Sequence, residues 1–286
     1  MTYQSSEAKF YYVVEDSYGV IPDAPAMIGI QNVESVEPAV NPGNILLRGI
    51  GSRDVNQIKM GLRRVNLKVA YEVPSDDVLS FMQHALTLYP LTCEVIYDKE
   101  SSIVDLRHLG CKFDQLTVQC SVEDVLKATV DLVGQDLDPQ NATISDATYT
   151  DFGGGIGYNQ CFVQRGNADG SNLQTLEEIT DWKFTVNNNL KAIPVIRSEN
   201  GGLLKFLQSL KRDLTGEVTF DFESGNRSRF YDAVSDSEFS LKFGMGAKYF
   251  LFKYCKWDIV ASPTKLDDLV PNNVSFTSSD VTSGDV

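Results

Sequence analysis

Basic residues are scarce in this chain of 286 residues: Lys plus Arg number 25 against 39 Asp plus Glu, a formal net charge of -14. Such a surface repels phosphate, which argues against a dedicated nucleic-acid gripping protein and against adhesion to anionic membranes. Histidine is scarcer still, with only His84 and His108. A Cys–His or Ser–His catalytic site would need one of them, and neither is flanked by a nucleophile motif. The five cysteines, Cys93, Cys111, Cys120, Cys161 and Cys255, include no CxxC spacing. No disulfide framework or zinc knuckle is expected, and the chain reads as made in a reducing cytosol. No stretch approaches the roughly 20 apolar residues that span a bilayer. Met1–Ala8 lacks both the basic and the apolar region of a signal peptide. Asp76-Asp77 and Asp267-Asp268 fit helix or turn starts better than metal sites. The Gly-rich run at 152–157 lacks the Lys-Ser/Thr of a phosphate loop. No catalytic residue, metal or cofactor is expected, and the reading is not an enzyme.

What is present is a foldable, strand-forming sequence. Hydrophobic residues make up 42% and aromatics 10%, which excludes wholesale disorder. Period-two alternation dominates, the mark of half-buried strands. Val65, Leu67, Val69, Tyr71 and Val73 alternate with polar or small residues, and so do Leu214, Gly216, Val218, Phe220 and Phe222. Leu91–Val95, Leu126–Leu132, Trp182–Val186 and Phe239–Phe243 repeat the pattern. Two short helices are predicted. One is capped by Ser75, with Asp76 and Asp77 in its first turn and Leu79, Met82, Ala85 and Leu86 on one face. The other runs from Ser228 to Val234, and the apolar run Leu203–Leu210 is compatible with a third. The aromatics Tyr11, Tyr12 and Tyr18 fit packing against a neighbouring strand better than stacking on a sugar or base. The arm to Pro42 and the tail Ser262–Val286 are expected to order on assembly, with Val274 and Phe276 in one last strand.

These pieces come twice in the same order. Strand Val65–Val73, helix, strand Leu91–Val95 and Cys111-Lys112-Phe113-Asp114 recur as strand Leu214–Phe222, helix, strand Phe239–Phe243 and Cys255-Lys256-Trp257-Asp258. The spacing is roughly 145–150 residues throughout, as an internal duplication with small loop insertions would leave it. The boundary falls in the Gly-, Asn- and Asp-rich stretch Asp146–Asn172, giving a first domain over 1–150 and a second over 151–286.

At the level of motifs the chain resembles the tail tube proteins of long-tailed viruses of bacteria and archaea. The resemblance rests on Gly49-Ile50-Gly51-Ser52-Arg53-Asp54 ahead of the Val65 strand, and on Leu109-Gly110-Cys111-Lys112 running into Leu116-Thr117-Val118. It rests further on Trp182–Leu190, with its Asn187-Asn188-Asn189 turn, and on Leu214–Phe220 after a long loop. The resemblance implies a mainly β protein of two tandem β-sandwich-like tube domains, each with a short flanking α-helix. It also implies stacked rings around a DNA channel in a virion tail, built in the host cytoplasm. With two fused copies, a ring needs three chains, a trimer of pseudo-sixfold symmetry, with a hexamer as the alternative. Partners would be further copies and other tail proteins such as the tape measure, terminator and distal tail protein. DNA would pass without being held, and no membrane is involved. Two long loops, Gly51–Arg64 and Lys191–Asp213, are the candidate ring-stacking elements, carrying Arg53, Arg63, Arg64, Arg197, Lys205, Lys211 and Arg212. For each of these the alternative is an ordinary solvated charge. Two other function classes stay open: a different virion β-sandwich (tail tip, connector or decoration protein), or a carbohydrate-binding or adhesin module.

Overall fold

A computed structural model describes residues 4, 7–51, 53–75, 80–99, 102–195, 203–221, 227–262 and 271–286. Among them are twenty-one strands, β1–β21 in chain order, and two helices, α1 (Ser80–Thr87) and α2 (Arg227–Val234). The predicted mainly β class is what is found. Ser75 begins no described helix, because Asp76, Asp77 and Leu79 lie outside the described residues, as do Asp267 and Asp268.

One antiparallel sheet runs through the whole chain. Its order is β3 (Val33–Asn41), β6 (Arg64–Glu72), β9 (Lys127–Gly134), β8 (Ser102–Ser121), β14 (Ile179–Asn187), β17 (Asp213–Asp221), β20 (Pro271–Ser278) and β19 (Lys248–Ala261). One face of this sheet is buried and the other open, because the strands alternate strictly. In β6 Val65, Leu67, Val69 and Tyr71 are buried while Arg64, Asn66 and Lys68 are exposed; in β17 Leu214, Gly216, Val218 and Phe220 do the same. A smaller layer covers the buried face of each half. Over the first lie β11 (Thr148–Phe152), β2 (Ala26–Ile30), β1 (Ala8–Val14), β7 (Leu91–Lys99) and β10 (Asp136–Gln140). Over the second lie β13 (Gln174–Thr175), β12 (Cys161–Asn167), β18 (Phe239–Met245) and β21 (Asp280–Asp285). The 20-residue β8 and the 14-residue β19 are long enough to serve both layers.

The pairing pattern itself recurs. β6 lies between β3 and β9 as β17 lies between β14 and β20. The register irregularities recur too, between Val33/Ser35 and Ile179/Asp181, Leu91/Cys93 and Phe239/Leu241, and Phe113/Gln115 and Trp257/Ile259. A β-bulge re-aims a strand, so three shared bulges mean that both halves curve at the same places. Where β6 has Leu67, β17 has Gly216, and a Cβ there would meet the Phe276 ring at 2.5 Å. The larger aromatic has taken the leucine's space.

Several expectations are corrected. The run Leu203–Leu210 is not helical: Phe206–Ser209 is strand β16, paired with β15 (Leu190–Ile193), with Leu207 buried and Gln208 exposed. Short apolar runs fit either period, and here the partner strand decides. The two long loops likewise contain strands: Gly51–Arg64 holds β5 (Gln57–Lys59), which pairs back on β4 (Ile45–Leu47) as a hairpin, and Lys191–Asp213 holds β16 and most of its partner β15. The N-terminal arm is paired within the chain, burying Phe10 and Tyr12. The tail supplies β20, which lies inside the main sheet as Val274 and Phe276 predict, and β21. The Gly-rich stretch near 150 contains β11, paired parallel to β2, and β12.

Candidate assembly surfaces

The main sheet contains one joint between its halves, β8 against β14. Thr185 stands opposite Thr117, Val186 opposite Leu116 and Asn187 opposite Gln115. On the covered face Val186 and Leu116 are fully buried; on the open face the two threonine hydroxyls are 3.2 Å apart. At the end of β14 the buried Asn188 donates through Nδ2 to the carbonyls of Ala85 (2.9 Å) and Phe113 (3.0 Å) and accepts from Arg212 Nε (2.9 Å). Arg212 also donates to the Leu86 carbonyl at the end of α1, and partial burial lowers its pKa. Asp114 Oδ1 accepts from the Leu190 amide at 2.7 Å. Asn188 and Arg212 thus tie the second half to the first.

The outer edges of this sheet are β3 and the end of β19. Val40 is 41% exposed although Val65 beside it is fully buried, and Ile259, opposite half-buried Ser275 on the open face, is 65% exposed. An unpaired strand edge with apolar side chains is a template for another strand. The two hairpins differ as well. In β15–β16 Leu204 and Leu207 are buried, and Gln135 Nε2 of the first half donates to the Leu204 carbonyl at 2.8 Å. In β4–β5 Ile45, Leu46, Ile58 and Met60 are exposed, and so is Ile50 on the loop between the strands.

The basic candidates scatter rather than forming one cluster. Arg53 is exposed in the β4–β5 loop, and Arg64 is exposed on β6. Arg63 is paired with Asp136 in its own half. Lys205 is exposed with its ammonium 5.7 Å from the Phe206 ring. Lys211 is exposed, and its carbonyl accepts from Asn189. Arg212 sits in the joint, and Arg197 lies outside the described residues. Sequence reasoning missed Asn188, Asp114, Val40 and Ile259. The break in alternation at Ile259-Val260-Ala261 was the available signal for the last.

Several other titratable groups are buried or half-buried. His84 lies on α1 near Thr87, and His108 is buried in β8, with burial pushing its pKa down to about 4. Tyr11 packs edge-on against Tyr149, and the Tyr12 hydroxyl pairs with Ser80. Tyr18 is half-buried, close enough to Lys112 for a cation–π contact at 5.5 Å. Glu94 and Asp105 are both buried, with Arg107 Nε 2.7 Å from Asp105 and 3.8 Å from Glu94. Burial and the Glu94 carboxyl raise the Asp105 pKa to about 8, although Arg107 opposes this. The unfolded chain releases that proton near its ordinary value of 3.8, so the native state holds a proton that the unfolded state has lost. Stability from this group therefore falls as pH rises toward 8. His108 acts the opposite way below about pH 6.5, so the clean window is about pH 6.5 to 8. Asp105→Asn should flatten the denaturation midpoint against pH in that window and raise it at pH 8. An unchanged slope would reject Asp105 as its source.

A continuous sheet with one polar face, two edges that pair with no further strand among the described residues, and one exposed hairpin is the architecture of a structural β protein. A family model described as phage tail tube protein matches residues 5–281, and the chain belongs to that family. It is a structural protein of the virion tail tube, a part that assembles with copies of itself and with other tail proteins. No curated protein matches the chain in sequence. Similar solved structures include a chain of the virion of a native gene transfer agent particle, at 8% identity and TM-score 0.34, covering 45% of this chain and 97% of that one. The tail of an empty gene transfer agent particle gives 11%, 0.33, 45% and 97%. The cap of the anti-feeding prophage gives 8%, 0.34, 51% and 100%.

Proposed function

We propose that three chains close into one ring of the tail tube, each contributing two tube domains divided near residue 150, and that rings stack into the channel through which the genome passes. The observation that carries this reading is the main sheet, whose two halves pair alike and whose outer edges carry no further strand among the described residues. Its uncovered face becomes the channel wall. That face presents Thr117, Thr185 and Thr215 together with Asp213, Glu217 and Asp221 and the bases Arg64, Lys68 and Lys183, a mixed polar surface whose acids offset its bases and leave no basic patch to hold a phosphate backbone. DNA then slides without being gripped. The chain is made in the host cytoplasm and acts in the virion, and the tube ends meet the tape measure, terminator and distal tail proteins. Arg53 and Lys205, exposed on the two hairpins, are placed to meet acidic groups of the next ring. Electron micrographs and mass measurement of the purified full chain test this. Expected are annular particles with the mass of three chains, some stacked into tubes. A persistent monomer, or a ring of six chains, rejects the proposal.

A further inference from the structure

The internal joint gives a residue-by-residue template for the one between chains. Resting on the ring reading, we infer that the end of β19 pairs with β3 of the next copy in the register that β8 keeps with β14, and that the exposed β4–β5 hairpin then lies on the neighbouring copy as β15–β16 lies on its own first half. β3 occupies the place of β14: Val36 stands opposite Val69 on β6 as Trp182 stands opposite Val218 on β17, and the same bulge precedes both. β19 occupies the place of β8: Trp257 stands opposite Phe276 as Phe113 stands opposite Leu132, and the same bulge follows, at Asp258 and Asp114.

Carrying the register across sets Ala39 opposite Ala261, Val40 opposite Val260 and Asn41 opposite Ile259, in place of Thr185–Thr117, Val186–Leu116 and Asn187–Gln115. The burial differences have this pairing as their cause. Val186 is fully buried by the joint, whereas its counterpart Val40 is 41% exposed in the single chain. Leu207 and Ile58 stand at the same spacing ahead of Leu214 and Val65; the first is 3% exposed, the second 60%. One hairpin has the first half of its own chain beneath it, and the other awaits the second half of a neighbour. Pro38, opposite Ser262 in this register, has no N–H to donate, so the joint between chains has at most one rung fewer at that position.

Paired cysteines read the register directly. Directly opposed residues on one sheet face have Cβ atoms about 5 Å apart, and diagonal neighbours about 7–8 Å. Ala39→Cys with Ala261→Cys in the full chain, assembled and oxidised with copper phenanthroline, should give a covalent species of three chains on a non-reducing gel. Asn41→Cys with Ile259→Cys is the second matched pair and guards against one variant failing to fold. Each single variant, the slipped pair Ala39→Cys with Ile259→Cys, and the unmodified chain should stay monomeric under the same oxidation. Preferential linking of the slipped pair, or no linking by either matched pair in particles whose micrographs show three-chain rings, overturns the register and leaves the ring reading standing. Absence of rings from the unmodified chain overturns both.

Discussion

Phe184→Ala should lower the stability of the unassembled chain by about 3–5 kcal/mol, the range for removing a fully buried phenylalanine. Phe184 is 0% exposed and sits where three strands meet, with β8 on one side and β17 on the other. Its ring lies 5.1–5.8 Å from those of Trp182, Phe243, Phe250 and Phe252. Tilted and stacked rings at such separations add to the transfer term, and four packed aromatics cannot collapse into the vacated space. Urea denaturation of unassembled protein measures the change. A loss under about 1 kcal/mol would mean that this core relaxes around a cavity, contrary to close packing.

Asn188→Leu should cost about 3 kcal/mol, for a different reason. The amide carries three hydrogen bonds in a site 1% exposed. Leucine fills the volume but strands the Ala85 and Phe113 carbonyls, whereas exposed Arg212 can turn to water, and each unsatisfied buried group costs about 1–3 kcal/mol. Asn188→Asp separates shape from chemistry: it keeps an acceptor for Arg212 but aims a carboxylate oxygen at two carbonyls. Both variants should unfold earlier in urea and be cut faster by protease. A stable Asp variant would mean that Arg212 alone ties the halves together at this point.

The strands of the main sheet were legible because their alternation is strict: Val65–Tyr71 and Trp182–Val186 bury every second residue. The recurring pairing of β6 and β17 was legible because the order and spacing of the strands repeat along the chain. β16 was not, since Leu203–Leu210 fits two periods and only pairing with β15, the preceding strand, selects one. The joint was illegible for a related reason. Asn188 reads as one more turn residue until the fold brings α1 and β8 beneath it. Val40 and Ile259 read as ordinary strand residues, and their meaning lies in what the folded chain leaves uncovered.

The joint between β8 and β14 lies within one polypeptide, and this changes the thermodynamics of building a ring. Six separate units would each give up translational and rotational freedom, a loss put at about 4–15 kcal/mol per association. Fusion makes every second contact unimolecular, at an effective concentration in the millimolar range for a short tether. In the proposed ring three bodies close a circle that six single units would otherwise close, so such rings should form from a more dilute pool. In that proposed ring alternate positions are not equivalent, and the exposed β4–β5 and covered β15–β16 hairpins would sit at the two kinds of position.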